Sequence, residues 1–204
     1  MTLYTDTFST PFGEFSVAVD ENAHVVATAF GDVEALKQRI NRVPAGRGVP
    51  AEPRLTGDGS PYPQMRDAQL GNGSSVARAR APARSAHLPL IADSDRTRRV
   101  REQVVAYCRG ERRTFDLPLQ PAGSAFQQRV WAALARIRRG TTKTYGEVAR
   151  AVGSSPRAVG RANATNPICL IVPCHRVIGA DGTLTGFAFG EPLKQRLLEF
   201  ESAR

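Results

Sequence analysis

The sequence predicts an α/β chain in two parts, a small mixed part built on strands and then a mostly helical part. Three observations predict it. Residues 15–30 alternate as strands do. Helix-start signals recur throughout the second half. Between them, residues 44–96 hold seven of the 14 prolines and six of the 18 glycines, with apolar residues scattered without period. That composition predicts a flexible Pro/Gly/Arg-rich insertion or linker. The boundaries that follow are residues 1–43 and 97–120 for the first part and 121–204 for the second.

The elements can be justified in order. In FGEFSVAVD, Phe15, Val17 and Val19 alternate with polar or small residues, the period of a half-buried strand. His24 to Phe30 forms a second strand, with Glu21 to Ala23 as the turn. The period then changes. Val33, Leu36 and Ile40 fall on one helical face behind Asp32 as N-cap. After the insertion, Val100, Val104, Tyr107 and Cys108 share a helical face that Gly110 ends, so Cys108 reads as a packing residue. Ser124 and Gln127 form a capping box ahead of Phe126, Val130, Trp131, Leu134 and Ile137. A second box, Thr144 and Glu147, opens YGEVARAV, which Gly153 closes. Ser155 and Pro156 then start a third helix, PRAVGRANA, ending before Asn166-Pro167. The continuous apolar run Ile168 to Val172 predicts a buried strand that Pro173 stops.

Composition bounds the function. The formal charge is +9 with a pI near 10.3. Such a surplus suits a polyanion such as nucleic acid, and equally a basic surface that favours solubility. The N-terminus lacks the basic start and apolar core of a secretory signal, and no apolar run reaches membrane-spanning length. A cytoplasmic protein with no membrane partner is expected. Three cysteines, Cys108, Cys169 and Cys174, suit no disulfide framework. Neither they nor the three histidines show metal-ligand spacing, so no metal is expected.

The short helix pair around Gly153 has the form of a helix-turn-helix. Its second helix carries Ala158, Val159, Gly160, Ala162 and Ala164 after Arg157. Long polar side chains for reading a major groove are scarce there. Small residues suit close approach to a narrow surface, and they suit a helix packed in a core. The adjacent Cys174 and His175 raise a second question. A thiolate is the reactive form of cysteine, and a histidine that takes its proton activates it. For an isolated Cys-His pair, a buried structural cysteine is the commoner case. On a strand, moreover, neighbours point to opposite faces, so contact between the two needs a bend or a bridging water.

The surrounding residues decide. PCHRV after an apolar run, with Asn166-Pro167 upstream and IGADGTLTGF downstream, closely resembles the active-site region of the O-6-alkylguanine-DNA alkyltransferases, the methylated-DNA–protein-cysteine methyltransferases. The resemblance runs from about Phe126 to Glu201, and FSTPFGEFSVAV is a weaker match to the family's opening. It implies an RNase-H-like α/β N-terminal domain and a mostly helical C-terminal domain with a winged helix-turn-helix-like DNA-binding motif. It also implies a cofactor-free reaction in which a monomer binds double-stranded DNA through the minor groove. The alkylated guanine flips out, as buried base atoms require, and its alkyl group passes irreversibly to cysteine.

The resemblance assigns Cys174 as acceptor, His175 as its base through a water, Glu201 as the group orienting His175, and Asn166 as the holder of the active-site turn. Tyr145 crowds the target phosphate and helps protonate the leaving guanine. Arg157 is the finger that fills the gap in the stack, with Ala158, Gly160 and Ala162 against the groove. Trp131, Pro173, Val177, Phe187, Ala188, Phe189 and Lys194 line the substrate pocket.

The sequence departs from the family at four places. Phe187 replaces the usual tyrosine, and Phe189 stands where many members have glycine, which predicts a pocket that accepts benzyl groups poorly. SSPRAVG is shorter than usual before the finger. RIRRGTT replaces a Pro-Tyr-Gly stretch, with arginines placed to touch phosphate. The rival classes are an alkyltransferase-like damage-binding protein, a Cys-His hydrolase and a transcription regulator. Cys174 argues against the first, the basic charge and helix pair against the second, and the sparse base-reading surface against the third.

Overall fold

The computed structural model describes residues 1–42 and 88–203. It contains a four-stranded sheet and a helical second half, the α/β arrangement expected. Residues 44–87 of the insertion lie outside the described residues.

The strands β1 (Leu3–Thr10), β2 (Gly13–Val19) and β3 (Val25–Phe30) form an antiparallel meander. Strand β4 (Leu90–Ala92) adds to β1 in parallel, giving the order β3-β2-β1-β4. Helix α1 (Val33–Arg42) starts on Asp32, whose carboxylate accepts from the Glu34 and Ala35 amides. Helix α2 (Ser94–Cys108) starts on Asp93 in the same way. Both β4 and the first turn of α2 fall within residues read as insertion. Their ordering has a local cause, strand pairing to β1 and the Asp93 cap, which a Pro/Gly count does not detect.

Strand β2 corrects a second expectation. It is not half-buried, for Phe15 through Val19 are all buried. Ala18 faces Ala27, Ala29 and Leu36 under α1. Phe15, Val17 and Val19 join Val100, Val104 and Tyr107 of α2 in the larger core, which continues through Trp131, Leu134 and Val159 to Leu197. One apolar cluster therefore spans both parts of the chain. The free edge of β3 is closed from the second half too. Thr28 forms a bridge with Ile168, its amide donating to the Pro167 carbonyl, and Val25 bridges Leu119 in the same way, donating to the Pro118 carbonyl. Covering an edge removes a template for unwanted pairing.

The second half holds α3 (Ala125–Ala135), α4 (Tyr145–Val152), α5 (Pro156–Ala164) and α6 (Glu191–Ser202), plus the short parallel pair β5 (Lys143–Thr144) and β6 (Val177–Ile178). Both capping boxes form as the sequence predicts. Gly153 ends α4 at φ 64°, with its own amide on the Arg150 carbonyl and the Ser154 amide on the Ala149 carbonyl. That double bond is the Schellman stop, and the short loop before Arg157 closes without strain at any non-glycine residue. Among the described residues no helix is long and apolar enough to cross a membrane.

Gly123 shows how tightly α3 is seated, because a Cβ there would stand 2.5 Å from the Trp131 ring. Gly123→Ala is expected to cost about 1–3 kcal/mol of stability by overpacking, read by urea unfolding. Gly146→Ala, whose nearest neighbour is an ordinary contact at 3.8 Å, is expected to be neutral or mildly stabilising.

Candidate active site

The apolar run Ile168 to Val172 is not a strand. It is a tight turn in which Val172 donates to the Ile168 carbonyl and Ile171 to the Cys169 carbonyl, with Leu170 in the left-handed region at φ 70°. Asn166 replaces the missing ladder. Its Oδ1 accepts from the Ile168 amide at 3.0 Å, and its Nδ2 donates to the Val172 carbonyl at 2.9 Å. A side-chain amide fully buried in an apolar turn must be paired in this way.

The turn delivers Cys174 into a 3-10 turn, Cys174–Arg176, instead of a strand end. This supplies the bend that a Cys-His neighbour pair requires. Cys174 is 2% exposed and His175 fully buried. His175 Nε2 lies 2.6 Å from Glu201 Oε1. The buried carboxylate is an acceptor, so Nε2 carries the hydrogen and Nδ1 keeps its lone pair. Nδ1 is buried with no hydrogen-bond partner among the described residues.

Lys194, Leu197 and Glu201 share the buried face of α6, at the spacing of successive turns. Arg176 donates to Glu201 through Nε at 2.8 Å and Nη2 at 3.0 Å, and Tyr107 of α2 donates to the same carboxylate. Burial alone would raise the Glu201 carboxyl, but the His175 hydrogen bond and the Arg176 ion pair outweigh it and hold it well below the usual range. Burial lowers the His175 ring more than Glu201 raises it, so the ring rests neutral.

Burial also raises the Cys174 thiol, against the pull of Arg39, the Asn166 side chain and Lys194. Burial pushes the Cys108 and Cys169 thiols up to about 12. Lys194 donates to the Val177 carbonyl at 2.6 Å and the Thr185 carbonyl at 3.0 Å, and burial brings it down to about 8.

Above this cluster lies a surface pocket of about 330 Å³ lined by Tyr145, Pro156, Gly160, Thr185 and Gly186. Tyr145 donates to the Thr185 carbonyl at 3.1 Å. Its ring passes Gly160, where a Cβ would stand 3.8 Å away, and its hydroxyl is so close to Gly186 that a Cβ there would clash. Asn163 of α5 connects pocket to turn. Its Nδ2 reaches the Tyr145 hydroxyl at 3.5 Å and the Cys174 carbonyl at 3.4 Å, and its buried Oδ1 has no partner among the described residues.

The fold therefore gathers Cys174, His175, Glu201, Asn166, Tyr145 and Lys194. Arg157 is exposed on the first turn of α5, beside the half-buried Ala158 and Gly160. Pro173 and Val177 are buried around the cysteine turn, and Ala188 is exposed. Phe187 is buried, with its ring 6.4 Å from His175. Phe189 is locked 5.4 Å from both Phe30 and Phe187, beneath Arg39 at 5.0 Å.

Three assignments do not hold. Ala162 is 3% exposed and faces the core, where its carbonyl accepts the Trp131 indole N–H at 2.9 Å. It cannot touch a groove. Trp131, fully buried, is a core residue and not a pocket wall. Arg139 in RIRRGTT turns inward, donating to the Phe200 carbonyl at 3.1 Å, while Arg136 and Arg138 are exposed.

Sequence reasoning also passed over Arg39, Tyr107, Asn163 and Arg176. A signal existed for three of them. Arg39 and Asn163 are polar interruptions on buried helical faces, and Arg176 follows the Cys-His pair directly. Tyr107 looked like any other buried aromatic.

A histidine whose folded pKa is depressed stabilises the fold above its unfolded value near 6.5. That stability is lost as pH falls toward the folded value, because the unfolded chain binds the proton first. Urea unfolding is expected to show a loss of about 1 kcal/mol between pH 7 and 5.5. His175→Gln should flatten that slope.

Comparison with known proteins places this geometry. The sequence model of the 6-O-methylguanine DNA methyltransferase DNA binding domain matches residues 125–203. A methylated-DNA–protein-cysteine methyltransferase of Methanosarcina acetivorans is 51% identical over 108 residues, covering 52% of this chain and 69% of its own length. Its namesake from Mycobacterium bovis is 52% identical over 50% of this chain and 64% of its own. The crystal structure of Mycobacterium tuberculosis O6-methylguanine methyltransferase superposes with TM-score 0.65 at 30% identity, covering 100% of this chain and 93% of that one. The same organism's OGT in complex with DNA gives 0.67 at 29%, covering 98% and 93%. With half the residues shared over most of one relative and a solved structure matched almost from end to end, this chain belongs to the methylated-DNA–protein-cysteine methyltransferase family.

Proposed function

We propose that the protein is a single-turnover DNA repair transferase that moves the methyl group of 6-O-methylguanine in duplex DNA to Cys174. The observation that carries this is the buried Cys174 with a neutral His175 oriented by Glu201, two hydrogen bonds from the wall of an open pocket. The chain acts as a cytoplasmic monomer. It enters the minor groove with α5, where the small Ala158 and Gly160 permit close approach and exposed Arg157 fills the space of the flipped base.

In the reaction His175 Nδ1 takes the Cys174 proton through a water. Cys174 Sγ then forms a bond to the methyl carbon as the carbon–O6 bond breaks. The guanine that leaves holds the bonding pair and needs a proton to become neutral, which Tyr145 is placed to relay. Positive charge from Arg39 and Lys194 favours the thiolate that burial disfavours. The product is a thioether, which has no route back to a thiol, so each chain acts once. A damage-binding relative without transfer would share the pocket, but its reaction has no use for a histidine held neutral beside a cysteine.

Intact-protein mass after mixing with duplex DNA carrying one O-6-methylguanine is expected to rise by one methyl group per chain and stop there. Cys174→Ala should gain nothing. Unchanged mass in the unmodified protein, with DNA still bound, would leave the damage-binding reading. The fixed Phe187 and Phe189 rings predict that benzylguanine reacts at least ~10-fold more slowly than methylguanine. Equal rates in the purified protein would remove Phe189 as a size filter.

A further inference from the structure

Tyr107 lies on α2, in the first part of the chain, yet its hydroxyl ends in the active site. It donates to Glu201 Oε1 at 2.5 Å and accepts from Arg176 Nη2 at 3.0 Å. His175 Nε2 shares that same Oε1. The ring is fully buried. Phe115 stacks on it at 4.7 Å, Phe200 meets it edge-on at 6.2 Å, and Arg139 lies over it at 5.7 Å. Packing of this kind fixes where the hydroxyl points. Burial and the adjacent Glu201 charge push its ionisation far up, so it remains a donor at working pH.

We infer that Tyr107 is a positioning residue for the transfer, dividing the charge of Glu201 Oε1 with His175 and thereby setting how readily His175 Nδ1 takes the Cys174 proton. This rests on the transfer reading above. Three donors meet on that oxygen, the third being Arg176 Nη2 at 3.0 Å, and each weakens the others. With Tyr107 present, Glu201 gives His175 less than its full charge. Without it, Glu201 would stabilise the imidazolium more strongly, and His175 would take up a proton at a higher pH, where it can no longer accept one from Cys174. The other ionisable groups facing this pair are Cys174 and Arg176 in the 3-10 turn and Lys194 on α6, with Arg139 beyond the Tyr107 ring. Of these only Arg176 bonds the hydroxyl itself, and without it Arg176 still has Glu201 and the Ile137 carbonyl.

The test uses the full chain as wild type, Tyr107→Phe and Phe115→Leu. Two quantities are followed against pH: the single-turnover rate on O-6-methylguanine duplex, and the His175 ring resonances by NMR without DNA. Tyr107→Phe is expected to move the acid limb of the rate profile and the His175 midpoint to higher pH, and to slow transfer about 3–10-fold near neutrality. Phe115→Leu, which loosens the same packing but keeps the hydroxyl, is expected to lower stability and leave both midpoints in place. Unmoved midpoints in Tyr107→Phe, whatever its rate, overturn the inference, as does an equal displacement in Phe115→Leu. If Tyr107→Phe does not fold, difluorotyrosine at position 107, a stronger donor, should move the His175 midpoint to lower pH, and no movement overturns it. Absence of any transfer by the wild type would sink the transferase reading alone, because the NMR midpoint still decides the role of Tyr107.

Discussion

A carboxylate with no exposed side-chain surface must be held entirely by its neighbours, and Glu201 is such a group. Taking an ion out of water costs several kcal/mol before any partner offsets it. The partners here come from different segments. His175 and Arg176 come from the 3-10 turn and Tyr107 from α2, while Arg176 also reaches the Ile137 carbonyl just beyond α3. Satisfying one charge therefore fixes the relation of α2, α3, α6 and the cysteine turn. The same bonds choose the tautomer of His175, so the requirement that stabilises the fold also leaves Nδ1 with a free lone pair.

Chemical difference among the three cysteines follows from position. Each thiol is buried, and burial alone makes a thiol inert. Only Cys174 feels two cations, Arg39 from the sheet part and Lys194 from α6, together with the Asn166 amide and a histidine next in the chain. Arg39 is itself costly to bury. It is offset by the Ala164 carbonyl at the end of α5 and by the Phe189 ring. The first part of the chain thus contributes a charge and a hydroxyl to the cluster of Cys174, His175 and Glu201 in the second.

Much of this was legible in the sequence, and unevenly so. The starts of α1, α3, α4 and α5 were read correctly because a cap is a local contract between residues three apart, as Ser124 with Gln127 and Thr144 with Glu147 show. The Cys174-His175 pair and Glu201 were legible through motif resemblance, not through periodicity. What failed was non-local. Ile168 to Val172 has the composition of a strand, but Asn166 satisfies its backbone from the side and bends it into a turn. The short β4 is defined by its pairing with β1, a partner distant in sequence. Small residues on α5 read as one groove-facing set, yet helical geometry sends Ala158 and Gly160 outward and Ala162 into the core. Tyr107 could not be distinguished from a packing aromatic, because only the fold brings α2 to Glu201.

The bridge between Thr28 and Ile168 has a consequence for the order in which the chain acquires structure. Strand β3 emerges from the ribosome long before the segment that closes its edge. Until residues 167–169 are made, the Thr28 amide and hydroxyl lack the Pro167 and Cys169 carbonyls they bond in the finished protein. The sheet also waits for Trp131, Leu134 and Leu197 to complete its core. Contacts of such sequence separation are entropically late. The N-terminal half is therefore an incomplete folding unit during synthesis, an interval in which an open edge and bare aromatic surface invite chaperone binding or aggregation.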